Sequence, residues 1–358
     1  MLYENLEPDE PTSSLTRFLG LEALAWRRPI RAGTGVTQRF EMYMDETFAK
    51  ADFEYMKALE FTRIFPNFEG YATVIDSLGL GVVWPNWWNG DTPWSTVSQV
   101  LQDAAKLTNL VSINMMDEPE RDDQPLHSPE VYLKLRRAIR EAGFDQPLSL
   151  TLHGPRPEWP ASTTRFFLDY LGAIDILRID PYPVLSGKPL RQVADWINQA
   201  RFLMEVIGRE MPLTVVLQTW ELPGGTLPTL SELRVMAYLA MFSGATTLSF
   251  FDYNPTAWLN TPGFTEGFIT LMSELTGLAR EFAGAVVYPI LGPDDVFQAE
   301  VEIDGYWTCF TVNTRESQNG TLDPLEIVRG KGRCPRPPLT INAFDREMRP
   351  MRNRRPRQ

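Results

Sequence analysis

The sequence predicts an α/β fold, a (β/α)8 or TIM barrel with a small antiparallel β unit near its C-terminus. Three observations lead there. Short apolar runs alternate with longer amphipathic runs eight times between about residues 36 and 285. The runs that read as strands are almost wholly apolar, as expected for a parallel sheet covered by helices. The chain has 358 residues, enough for such a barrel, which needs ~250, plus a smaller unit. The expected order is an N-terminal extension (1–35), the barrel (36–285), a β domain (286–345) and a basic tail (346–358).

The elements follow in sequence. QRFEMYM (38–44) reads as the first strand, and DETFAKADFEYMKALE (45–60) as a helix with Phe48, Phe53, Met56 and Leu59 near helical spacing. FTRIFPN (61–67) is the second strand, GYATVIDSLG (70–79) a short helix ended by Gly79, and LGVVWPNWW (80–88) the third strand. TVSQVLQDAAKL (96–107) is helical, and NLVSINMM (109–116) is the fourth strand. SPEVYLKLRRAIREAG (128–143) has Ser128 at the N-cap, Pro129 in the first turn and Gly143 at its end. Strands at 147–153, 173–183, 212–220 and 245–254 then alternate with helices at 161–172, 190–208, 229–244 and 266–283.

Beyond Pro289 the pattern changes to alternating polar and apolar residues around an Asp-Gly turn, in VFQAEVEIDGYWTCFTVNT (296–314), which signals a β-hairpin. LTRFLGLEALAWRR in the N-terminal extension reads as a helix across the closed end of the barrel. A doubly wound open sheet is the competing fold. Against it, no GxGxxG or GxxxxGK[ST] loop follows any strand.

Composition narrows the function. A net charge of −12 argues against nucleic-acid binding. No run of 18 apolar residues is present, so no membrane span is expected. Two histidines, His127 and His153, and two cysteines outside any CxxC spacing argue against a metal centre, and no cofactor is expected. Cys309 and Cys334 are compatible with one disulfide or two thiols. The start, MLYENLEPDEP, lacks the basic and apolar segments of a secretory signal. A cytoplasmic location, or one in a phage particle or lysis-released complex, is therefore expected. REMRPMRNRRPRQ at the C-terminus reads as a disordered tail or as a contact for an acidic assembly partner.

Barrel chemistry sits at the C-terminal ends of the strands. There the sequence places Arg63 after strand 2, Trp84, Trp87 and Trp88 after strand 3, and Asp117 and Glu118 after strand 4. His153 follows strand 5, Asp180 and Tyr182 strand 6, Gln218, Trp220 and Glu221 strand 7, and Asp252 strand 8. Aromatic faces stack on sugar rings, while carboxylates and amides bind hydroxyls. Hydrolysis of a glycosidic bond needs two carboxyl groups, one protonated and one ionised. Glu118 would serve as the acid if Asp117 and the apolar Met115-Met116 raise its pKa. The plainer readings are that DEPE starts a helix, that WPNWW is a packing cluster, that His153 is a structural histidine and that Asp180 caps a turn.

Three stretches, MMDEPE (115–120), DILRIDPYP (175–183) and PTLSELRVMAYLAMFSGATTLSFFDY (228–253), together resemble the clan-A (β/α)8 glycoside hydrolases of a divergent type with DEP after strand 4. The resemblance implies Glu118 as acid/base and Glu221, in QTWE, as nucleophile of a retaining mechanism. Asp117 stands where those enzymes keep Asn. Should Glu221 point away, Asp180 or Asp252 becomes the second carboxylate. The expected function is thus a glycosidase acting on a poly- or oligosaccharide. The alternatives are a non-catalytic carbohydrate-binding or structural barrel, and a metal-dependent enzyme with Asp117, Glu118 and Asp180 as oxygen ligands.

Overall fold

The computed structural model describes residues 35–44, 47–121, 127–154, 161–220, 227–291, 296–303, 306–314 and 325–330. Its first eight strands are β1 (Arg39–Met44), β2 (Arg63–Pro66), β3 (Gly81–Pro85), β4 (Leu110–Asp117), β5 (Leu148–Leu152), β6 (Ile176–Ile179), β7 (Leu213–Gln218) and β8 (Thr247–Phe251). They form a closed barrel in chain order, and β1 pairs in parallel with both β2 and β8. Seven helices separate them: α1 (Lys50–Ala58), α2 (Ala72–Ser77), α3 (Trp94–Ala104), α4 (Pro129–Glu141), α5 (Ala161–Ala173), α6 (Gln192–Val206) and α7 (Leu230–Phe242). A short α8 (Pro255–Asn260), absent from the sequence expectation, precedes α9 (Phe264–Glu281).

The helix ends follow local chemistry. Thr229 caps α7: its hydroxyl accepts the Glu232 N–H, and the Glu232 carboxylate returns to the Thr229 backbone. Gly79 and Gly143 take φ of 72° and 83° beyond α2 and α4, a backbone that favours glycine. Ser128 stands at the N-cap of α4 but makes no capping hydrogen bond, so Pro129 at the first turn carries that start.

Because side chains alternate along a strand, the barrel has two interiors. The outward set, including Met42, Ile64, Val82, Trp84, Ile113 and Met115, packs under the helices in the main apolar core. The inward set forms a separate lumen, where Tyr43, Phe65 and Val83 group with Val111 and Phe251. Next to that layer lies a polar one. Arg178 makes a two-pronged ion pair with Glu41 at 2.7 and 3.2 Å, Ser249 donates to Glu41 at 2.8 Å, and Arg178 Nε donates to Thr151 at 3.3 Å. Burial works to raise the Glu41 pKa, but the Arg178 charge and these hydrogen bonds outweigh it and hold the carboxylate low. Buried charges persist only when paired this way.

The remaining strands, β9 (Val286–Leu291), β10 (Val296–Ile303), β11 (Tyr306–Asn313) and β12 (Leu325–Gly330), form an antiparallel sheet in the order β12-β11-β10-β9. Phe310 of β11 stacks on Phe242 of α7 at 4.1 Å and meets Phe282 edge-on at 5.2 Å. Helix α7 is covered by the barrel on one side and by this sheet on the other. That is why its run Val235–Phe242 is buried on every face. Cys309 is disulfide-bonded; Cys334, the segment predicted as an N-terminal helix and the basic tail lie outside the described residues. No described helix is long and apolar enough to cross a membrane.

Candidate active site

The C-terminal end of β4 sets the site. In extended backbone, adjacent side chains point to opposite faces. Glu118 breaks that alternation with φ 43°, in the left-handed region that a non-glycine residue adopts at a cost of about 1–3 kcal/mol. Its N–H is anchored to Thr151 O at 2.8 Å. After this bend, Asp117 and Glu118 act on the same neighbours: the charges of both raise Glu120, Asp180 and Tyr182.

His153 follows β5. Its Nδ1 lies 2.9 Å from Glu118 Oε1 and 3.5 Å from Asp180 Oδ1. The His153 backbone N–H donates to Glu120 Oε1, and the edge of the ring meets Trp196 of α6 at 5.3 Å. Gly154 comes next with φ 99°; a Cβ there would stand 2.6 Å from Trp196 Cε3. Only glycine therefore lets the chain pass this indole, and the indole in turn fixes the imidazole.

Asp180 directly follows β6 and is 3% exposed. A carboxyl oxygen of Asp180 lies within 4.8 Å of one of Glu118. Burial first, then the charges of Glu118 and Asp117, push Asp180 well above the usual carboxylate range. Glu120 is similar. Burial is the main cause, Glu118 and Asp117 add to it, and its pKa is pushed up to about 8 against the pull of the N–H groups it accepts. Glu120 therefore keeps its proton at neutral pH, and the surroundings of Asp180 favour its neutral form in the same direction. Asp180 Oδ1 and Glu120 Oε2 are shielded from solvent, and no hydrogen-bond donor reaches them.

An aromatic wall stands beside these groups. Tyr182 lies 6.4 Å from Trp220 and 6.5 Å from Phe251, and Phe251 meets Tyr43 edge-on at 4.7 Å. Burial, with Asp180 and Asp117 nearby, keeps the Tyr182 hydroxyl protonated. Asp252, just past β8, is buried, and its carbonyl accepts the Thr219 hydroxyl at 3.2 Å. Gln218 is tied down: its Oε1 accepts the Leu185 N–H and its Nε2 donates to Trp220 O.

Several sequence expectations are corrected. Of the three tryptophans near β3, only Trp87 reaches solvent, at 56% exposure. Trp84 alternates with the lumen residue Val83 and so faces the helices, and Trp88 packs into the same core. Arg63, expected after strand 2, is instead the first residue of β2. It lies at the level of Glu41, donates to Thr247 at the start of β8, and is remote from the mouth. Glu221, the expected nucleophile, lies outside the described residues. Sequence reasoning overlooked Glu120, whose signal was its position two residues past Glu118 across Pro119. It also overlooked the Glu41–Arg178 pair, signalled by charges inside the apolar strands RFEMYM and ILRI.

Among the described residues, Glu118, His153 and Asp180 form one group able to hold a metal ion. The arrangement sets Asp180, whose neutral form is favoured, beside Glu118 and His153 at the barrel mouth.

No family model matches the chain, and no curated protein matches it. Among solved structures, it is similar to the endo-1,4-beta-mannanase from Rhizomucor miehei, with a TM-score of 0.50, 9% identity, and coverage of 69% of this chain and 96% of that one. A GH30 endoxylanase from Clostridium papyrosolvens C71 gives a TM-score of 0.48 at 13% identity, covering 79% and 83%. The endo-beta-1,4-mannanase from Thermotoga petrophila gives 0.48 at 10%, covering 84% and 99%. At such identities the first likeness speaks for the barrel fold alone.

Proposed function

We propose that the chain is a glycoside hydrolase acting on a poly- or oligosaccharide, with Glu118 delivering the proton to the leaving oxygen. The observation that carries this reading is the grouping of Glu118, Asp180 and His153 at the barrel mouth, with one polar atom of each within 4.8 Å of the others. Glycosidic cleavage needs an acid that is still protonated at working pH. Burial and the neighbouring carboxylates favour the protonated form of Asp180 beside Glu118, and His153 orients the Glu118 carboxyl through its 2.9 Å contact. A leaving oxygen that approaches Glu118 draws on that proton. Asp117, Tyr182, Trp220 and Asp252 are proposed to bind sugar hydroxyls and ring faces, with Trp87 as a platform on the β3 side.

Glu221 remains the proposed nucleophile. Retention requires carboxyl groups about 5–5.5 Å apart. Asp180 stands closer than this, since its ligand oxygen lies within 4.8 Å of that of Glu118. Its part is to hold the proton. Replacing Glu118 by Gln should lower turnover on a cleaved glycan by about 10²–10⁴-fold, while the thermal midpoint stays within a few degrees. Full activity in that variant refutes the assignment. Glycan binding across a broad panel with no new reducing ends would favour a non-catalytic barrel instead.

A further inference from the structure

Glu118, His153 and Asp180 each offer one ligand atom, and all three atoms lie within 4.8 Å of one another. We propose that they bind a divalent cation of the Zn²⁺ type, and that this cation silences the site by occupying Glu118. The geometry is nearly preformed. Tetrahedral zinc, with bonds of about 2.0–2.2 Å, spaces its ligands about 3.3–3.6 Å apart. The His153–Asp180 edge measures 3.5 Å. The His153–Glu118 edge, 2.9 Å, needs to open by about half an ångström.

A second observation points to a ligand. Asp180 Oδ1 is shielded from solvent and makes no hydrogen bond, and the group it faces at 3.5 Å is the His153 Nδ1, the other ligand atom of the same site. The ligand set of one imidazole and two carboxylates suits zinc; magnesium prefers oxygen ligands in octahedral geometry. The imidazole is also held for the task. Glu120 accepts its backbone N–H, and Trp196 packs on its ring, the kind of outer support that orients metal-binding histidines. The side chains of Glu118 and His153 are 17% and 13% exposed, which leaves a path from the mouth.

The silencing half of the proposal rests on the glycosidase reading; the binding half does not. The test is a calorimetric titration of the full chain with Zn²⁺ and, separately, with Mg²⁺. One zinc should bind per chain, and magnesium should not displace it. His153→Gln and Asp180→Asn should each weaken uptake at least tenfold. His127→Gln, which changes the only other histidine, should leave it unchanged. Circular dichroism confirms that each variant is folded, and if Asp180→Asn unfolds, His153→Gln decides. The absence of a saturable site, or equal uptake by His153→Gln and the parent, overturns the cation site. With a cleaved glycan in hand, zinc should inhibit and chelation should restore activity. Zinc that binds without inhibiting overturns the silencing. Cleavage that requires zinc keeps the cation site and overturns the metal-free hydrolase.

Discussion

Glu120 offers a direct reading of the site's electrostatics. Its carboxyl is enclosed among Glu118 and Asp117, and its pKa rises from an ordinary 4.5 to about 8. The folded chain therefore keeps a proton that the unfolded chain releases. Stability from this group is fully present below about pH 4.5 and is lost as pH rises through about 8. At about 1.4 kcal/mol per pH unit the loss reaches about 5 kcal/mol as an upper bound, reduced where solvent penetrates. Glu120→Gln removes the titration and keeps the acceptor for the His153 N–H. Its amide nitrogen replaces Oε2, which has no partner, so a donor is left unsatisfied at about 1–3 kcal/mol whatever the pH. The absolute stability of the variant is thus uninformative, but its slope is not. Urea unfolding of both proteins from pH 4.5 to 8 should show the parent losing several kcal/mol more than the variant. Parallel curves would refute the claim that Glu120 is buried in its neutral form.

Two further substitutions probe the scaffold. Gly154→Ala should cost about 1–3 kcal/mol in denaturant unfolding, because φ is 99° and the new Cβ would strike Trp196; a Trp196→Leu background should relieve part of that cost. Glu41→Met should cost about 3–5 kcal/mol by leaving Arg178 buried without its counter-charge. Adding Arg178→Met should recover most of the loss, and a single variant within 1 kcal/mol of the parent would contradict the pairing.

The barrel was legible because each strand is a short apolar run with a Gly or Pro boundary, and because α7 through β8 repeats that beat without interruption. The positions of Glu118, His153 and Asp180 followed from strand ends alone. Side-chain direction was harder to read. WPNWW looks like one aromatic cluster in sequence, but alternation along β3 sends Trp84 to the helices and leaves Trp87 in solvent. Arg63 was assigned to the end of strand 2 although it lies inside the run FTRIFPN, and β2 in fact begins with it. Glu120 escaped notice because its role depends on a contact with the backbone of His153, 33 residues away. No periodicity reports such a contact.

The left-handed backbone at Glu118 carries a cost in stability. The fold itself would prefer glycine or asparagine there, since either enters that conformation more easily. Glutamate at position 118 works against stability. Glu118→Gly should therefore raise the unfolding free energy.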